Sequence, residues 1–139
     1  MYLLDTNVVS ELRKVNTGSA HPQVKSWAKG LDAETTFLSV ITLLELEQGI
    51  LSLEHRDPRQ GMMLRTWMEN QVLPDFAGRI LPVDLSVARK CAALHVPDPL
   101  SYRDSLIAAT ALVHGMTVVT RNTAHYKRTG VALLNPWQQ

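Results

Sequence analysis

The sequence has a single cysteine, Cys91. One thiol excludes an internal disulfide, so Cys91 reads as a small apolar filler in a helical segment, and a reducing, cytoplasmic setting fits. No apolar run approaches the length of a membrane span. The N-terminus lacks a basic region followed by a long apolar stretch, so no signal peptide is expected. Neither sign of charge dominates: 14 Lys and Arg stand against 13 Asp and Glu, for a net charge of +1. Such a balance excludes holding long duplex DNA by bulk electrostatics, though not a local basic patch. Internal repeats, linkers and low-complexity tracts are missing too. The 139 residues therefore read as one domain, 1–139, with a single core.

What is present is an alternation of strands and helices. Tyr2-Leu3-Leu4 is a short apolar strand that stops on Asp5, and Val8 to Lys14 has helical period. Pro22 to Lys29 is a second helix, with Pro22 in its first turn and Gly30 at its end. Thr35 to Ser39 is a β-branched strand running without a break into a helix over Val40 to Ile50. Arg56 to Arg59 is a turn, Gln60 to Gln71 a Met- and Trp-rich amphipathic helix, and Pro74 to Gly78 a loop. Arg79 to Val83 is a strand made peripheral by Pro82. Asp84 or Ser86 caps the helix carrying Val87, Cys91 and Leu94. Tyr102 to His114 is a helix stopped by Gly115; Thr117 to Thr120 and Val131 to Leu134 are strands around the loop 121–127. The strands are continuous apolar runs. That predicts an α/β fold with a mostly parallel sheet covered on both faces.

Three carboxylates fall where helices meet the sheet's carboxyl edge, the edge at which open α/β sheets bind ligands. Asp5 follows the first strand, Glu45 lies in the helix after the second, and Asp104 opens the Ala-rich helix. Each also has a purely structural reading. Asp5 or Thr6 can be an N-cap, and Thr42–Glu45 and Ser101–Asp104 match capping boxes. Two features favour function. Asp104 shares a helical face with Ala108 and Ala111, which places a carboxylate toward the core, where it needs a partner or a metal. Gly49, four residues after Glu45, either leaves room beside that acid or permits helix packing. Clustered acids repel, and a divalent cation resolves the conflict. Oxygen donors without a His–Cys set point to Mg²⁺ or Mn²⁺, whose open coordination positions suit phosphodiester hydrolysis.

Four stretches in order carry a resemblance: Leu4-Asp5-Thr6-Asn7, Ser39 to Leu46, Arg103 to Ala111, and Val119-Thr120-Arg121-Asn122-Thr123. Together they resemble the PIN-domain family, and within it the VapC toxins of bacterial toxin–antitoxin pairs on the FitB-like branch. Leu134-Asn135-Pro136-Trp137 fits that branch as well. The resemblance implies a three-layer α/β/α PIN-like fold and a Mg²⁺- or Mn²⁺-dependent endoribonuclease. It implies that Asp5 and Asp104 hold the metal and that Glu45 completes the shell or orients the attacking water. Asn122 matches a fourth site position and Thr6 a hydroxyl position beside the first acid. Where similar chains carry Thr-X-Asp-Phe, this one has Thr123-Ala124-His125-Tyr126. That departure predicts a weaker second metal, or a preference for Mn²⁺, which accepts imidazole more readily than Mg²⁺.

Arg121, His125, Lys127 and Arg128, with Tyr102 and Tyr126 as stacking rings, suggest a small basic mouth for single-stranded RNA. The resemblance further implies a cognate VapB/FitA-like antitoxin, a homodimer or a larger assembly with antitoxin, and DNA contact only through the antitoxin. Residues 60–72 and the first helices are the candidate surfaces. Two other readings compete. One is a catalytically weakened PIN scaffold that binds RNA or antitoxin, supported by the neutral Asn122 and His125. The other, a phospho-receiver or Asp-X-Asp phosphatase, fails because Asp5 has no acidic neighbour and residue 7 is Asn.

Overall fold

The computed structural model describes residues 1–138. Five strands, β1 (Tyr2–Leu4), β2 (Thr36–Ser39), β3 (Ile80–Leu81), β4 (Thr117–Val119) and β5 (Leu133–Leu134), form one sheet in the order β3-β2-β1-β4-β5. Every pairing is parallel, so the sheet is wholly and not mostly parallel. Parallel neighbours require crossovers, and helices supply them. These are α1 (Thr6–Arg13), α2 (Pro22–Lys29), α3 (Val40–Arg56), α4 (Pro58–Trp67), α5 (Leu73–Asp75), α6 (Leu85–Leu94) and α7 (Tyr102–His114).

The strand side chains divide the core in two. Leu4, Leu38 and Val119 pack with Val8 and Val9 of α1, Leu46 and Ile50 of α3, and Met68 and Val72. Leu3 and Val118 point the other way, onto Ile107, Ala108 and Ala111 of α7. Val87 and Cys91 of α6 close over Ala109. This is the three-layer α/β/α arrangement. Cys91 is buried, and its thiol donates to Ser105 Oγ at 3.3 Å, consistent with a filler role.

Several boundaries differ from the sequence reading. Asp57 alone separates α3 from α4, because its carboxylate caps the new helix at Gln60 N while its own N–H closes the old one. The expected single helix over 60–71 starts at Pro58 and relaxes into a π turn over Met68–Val72, which turns both of those side chains into the core. Pro74 and Asp75 stay helical where a loop was expected: the π turn closes with the Leu73 N–H on Met68 O, and the Phe76 N–H bonds Val72 O beyond the proline. The loop after β4 is a 3₁₀ helix, Thr123–Thr129. Ser39, not Thr42, caps α3 through Ile41 N, which leaves Glu45 free of capping work. Gly49 faces open space and packs against nothing; Gly61 is the packing glycine, since a Cβ there would stand 2.5 Å from Glu54 Cα.

Candidate active site

β1 ends at Leu4, and the Asp5 N–H donates to Val119 O at 2.9 Å, extending the ladder with β4 by one residue. That bond fixes Asp5 at the carboxyl edge of the two central strands. Its Oδ1 accepts from Thr6 N at 2.7 Å, so Asp5 is also the N-cap of α1. The structural and functional readings of this residue coexist. Only 1% of it is exposed. Its Oδ2 accepts from the Thr120 hydroxyl at 2.8 Å and the Tyr126 hydroxyl at 2.9 Å. A buried carboxylate needs such donors.

Glu45, in the second turn of α3, comes to the same edge. Its Oε1 accepts from the Thr6 hydroxyl at 2.6 Å. Asp104 lies in the first turn of α7, where its N–H donates to the Ser101 cap at 3.4 Å. The three acids meet at one guanidinium. Arg103 donates from Nη2 to Asp5 Oδ1 at 2.5 Å, from Nε to Glu45 Oε2 at 2.7 Å, and from Nη1 to Asp104 Oδ1 at 2.9 Å. Nη1 also donates to Tyr126 Oη at 2.9 Å. Burial opposes the charge on Arg103, but hydrogen bonds to Glu45 and Asp5 outweigh it and hold its pKa above the ordinary arginine range. Burial, then the Asp5 charge, push the Tyr126 phenol well above the usual tyrosine range, with Arg103 pulling the other way.

Thr120 ties the fourth corner to the first. Besides donating to Asp5, its hydroxyl accepts from Asn7 Nδ2 at 3.3 Å and from Asn122 N at 3.0 Å. Asn7 Oδ1 in turn accepts from Arg121 N at 3.1 Å. Asn122 therefore joins the site through its backbone, with its side chain exposed. The Arg121 guanidinium lies 5.3 Å over the Trp137 ring. His125 is exposed, and its backbone N–H donates to Asn122 O at 3.1 Å.

The structure thus brings Asp5, Thr6, Glu45 and Asp104 together and sets Asn122, Arg121 and His125 along the adjoining rim. One sequence expectation is overturned. Tyr126 is fully buried with its hydroxyl on Asp5, so it cannot stack on a base. Sequence reasoning missed Arg103, Thr120 and the Tyr126 hydroxyl. The available signals were an arginine directly before the third acid and a tyrosine in the loop that follows the fourth strand.

Among the described residues, no three His, Cys, Asp or Glu side chains stand close enough together to hold one ion. The guanidinium lies between them. The donor set nevertheless fits a hard divalent cation: it is oxygen only, and all three carboxylates already converge on one cationic group.

The chain is similar to known proteins over nearly its whole length. Residues 2–131 match the PIN domain family. The chain is 38% identical to the VapC ribonuclease Y4jK of Sinorhizobium fredii, over 99% of each chain. It is 38% identical to the toxin FitB of Neisseria gonorrhoeae, again over 99% of each. The solved structure of FitAB bound to a DNA fragment superimposes with a TM-score of 0.89 at 38% identity, covering 100% of this chain and 97% of that one.

Proposed function

The chain belongs to the PIN-domain family, and from that premise we propose that it is the endoribonuclease toxin of a VapBC-type toxin–antitoxin pair, with Mg²⁺ or Mn²⁺ as cofactor. The observation that carries this reading is the convergence of Asp5, Glu45 and Asp104 on a single cationic group at the sheet's carboxyl edge. Asp5 and Asp104 would hold the ion, with Glu45 completing its shell. A bound divalent ion supplies an acidified water and stabilises charge on the phosphate.

The remaining chemistry belongs to the protein. Glu45 orients the attacking water and accepts its proton, and the Thr6 hydroxyl on Oε1 sets the direction of that carboxylate. Thr120 and Tyr126 hold Asp5 in one rotamer, and Thr120 also anchors the Asn122 backbone. Asn122 positions a water or the substrate through its side chain. His125, on the 3₁₀ segment that follows Asn122, biases the site toward Mn²⁺ over Mg²⁺; an unchanged metal preference in His125→Asp rules that role out.

The substrate is single-stranded RNA. Arg121, Lys127 and Arg128 supply exposed positive charge on the segment beside the acids. Tyr102, 72% exposed and stacked on His95 at 4.6 Å, offers a ring for an unpaired base. The partner is a VapB/FitA-like antitoxin, in line with the toxin and FitAB names of its relatives, and DNA is reached only through that antitoxin. Exposed Leu44 and Leu51 of α3 and Met62 and Met63 of α4 are the apolar surface for antitoxin or homodimer. No helix among the described residues is long and apolar enough to cross a membrane.

One observation favours a second reading, a scaffold that binds RNA or antitoxin without cutting: a guanidinium stands where the ion belongs. The deciding experiment is cleavage of mixed total RNA by the purified chain, freed of partner, with Mg²⁺, Mn²⁺ or chelator, beside Asp104→Asn. Metal-dependent cutting lost in the variant supports the nuclease. No cutting and no effect of metal on melting temperature supports the scaffold.

A further inference from the structure

We propose that Arg103 is a positioning residue that competes with the divalent cation: it holds the three acids assembled in the ion's absence and must leave them for the ion to bind. The inference rests on the metal-dependent reading above.

Asp5, Glu45 and Asp104 repel one another unless a cation lies among them. Arg103 meets that requirement with Nε, Nη1 and Nη2 all engaged, each on a different acid. Its planar fork suits several carboxylate oxygens at once, which a lysine ammonium at the end of a flexible stem does not. The inward side is closed. Asp5, Thr120 and Tyr126 are all fully or almost fully buried, and the Tyr126 hydroxyl bonds Nη1 from that side.

The outward side is open. The Arg103 side chain is 31% exposed and grows from the first turn of α7, so rotation about its own bonds carries the guanidinium toward solvent without moving the helix. The guanidinium and an ion compete for one place, because Arg103 lies between the acids on Asp5 Oδ1 and Glu45 Oε2, and a dication seated on those oxygens would stand against its positive charge. Their other oxygens are bound to Thr120, Tyr126 and Thr6. Ion entry is therefore an exchange of one cation for another. That also explains why no three acidic side chains stand at ligating distance in the resting arrangement.

The test reads metal binding with no RNA present. Wild type, Arg103→Gln and Arg103→Lys, all freed of antitoxin, are titrated with Mn²⁺ by calorimetry and melted with chelator and with saturating Mn²⁺. Removing the competing cation is expected to tighten Mn²⁺ binding roughly tenfold in Arg103→Gln, with Arg103→Lys in between. In chelator the Gln variant melts lower by about 5 °C, since its acids are left unpaired; saturating Mn²⁺ closes that gap. A merely structural arginine gives the opposite pattern: weaker Mn²⁺ binding and a melting deficit that metal does not repair. If Arg103→Gln fails to fold, the Lys variant carries the comparison. Mn²⁺ binding that is unchanged or weaker in the folded variants overturns the proposal. RNA cleavage assayed in parallel separates the two readings. Metal-dependent cutting by wild type without tightening in the variants sinks only the competition. Absence of both cutting and Mn²⁺ binding in every protein sinks the nuclease with it.

Discussion

The Tyr126 hydroxyl donates to Asp5 Oδ2 at 2.9 Å while accepting from Arg103 Nη1 at 2.9 Å, so one phenol links the most buried acid to the cation that neutralises it. Tyr126→Phe keeps the ring and deletes only that link. Asp5 Oδ2 retains Thr120 as a donor. The expected cost is about 1.5–3 kcal/mol of stability in chelator, the range for a hydrogen bond with a charged partner. Urea unfolding of wild type and variant measures it; equal midpoints would show that the hydroxyl contributes nothing.

The same group fixes a pH dependence. Burial and the Asp5 charge raise the folded-state pKa of Tyr126 above its unfolded value. Above about pH 10 the unfolded chain loses a proton that the folded chain keeps, so stability falls as pH rises, by about 1.4 kcal/mol per pH unit. Below about pH 9 the phenol is neutral in both states and adds no slope. Urea midpoints taken from pH 8 to 11 are expected to bend downward in wild type and to stay flatter in Tyr126→Phe.

Thr120 has no chemistry of its own, yet its hydroxyl touches Asp5, Asn7 and Asn122. Thr120→Val preserves shape and removes all three bonds. Loss of a group that orients metal ligands is expected to lower Mn²⁺ affinity or cleavage by roughly 10–100-fold. Calorimetric titration with Mn²⁺ checks this directly, and an affinity within about twofold of wild type would remove Thr120 from the site's support.

Two glycines in adjoining helices should respond oppositely to alanine. At Gly61 a Cβ would lie 2.5 Å from Glu54 Cα and 2.7 Å from Glu54 N, so the α3–α4 pair must separate. The expected loss is about 1–3 kcal/mol. Gly49 has nothing within 4 Å and sits inside α3, so Gly49→Ala is expected to stabilise by up to about 1 kcal/mol. Thermal melts of the two variants decide both signs.

That Asp5, Glu45 and Asp104 would come to one sheet edge was legible in residue order, and the reason is local. Asp5 follows a strand end, Asp104 opens a helix and Glu45 lies in the second turn of one, and those transitions are encoded by apolar runs, caps and the Gly115 stop within a few residues. The fate of the fourth corner was less legible. Thr120 looked like the end of a strand, but its hydroxyl orientation depends on β1 lying beside β4. His125 and Tyr126 are neighbours in sequence with opposite fates, one exposed and one wholly buried, because the 3₁₀ turn faces one toward solvent and the other toward Asp5.

The sequence by itself determined the strand–helix alternation, the parallel class of sheet and the arrival of three acids at one edge. Periodicity and capping act over one or two helical turns, and those signals are written in consecutive residues. The tertiary structure alone decided that Arg103 neutralises all three acids, that Tyr126 turns inward and that Gly61 rather than Gly49 is the packing contact. The first two of those outcomes join residues 58 (Arg103–Glu45), 98 (Arg103–Asp5) and 121 (Tyr126–Asp5) positions apart. No local pattern carries such distances; they follow from the strand order that sets β1 between β2 and β4 and from the helix α7 packed across them.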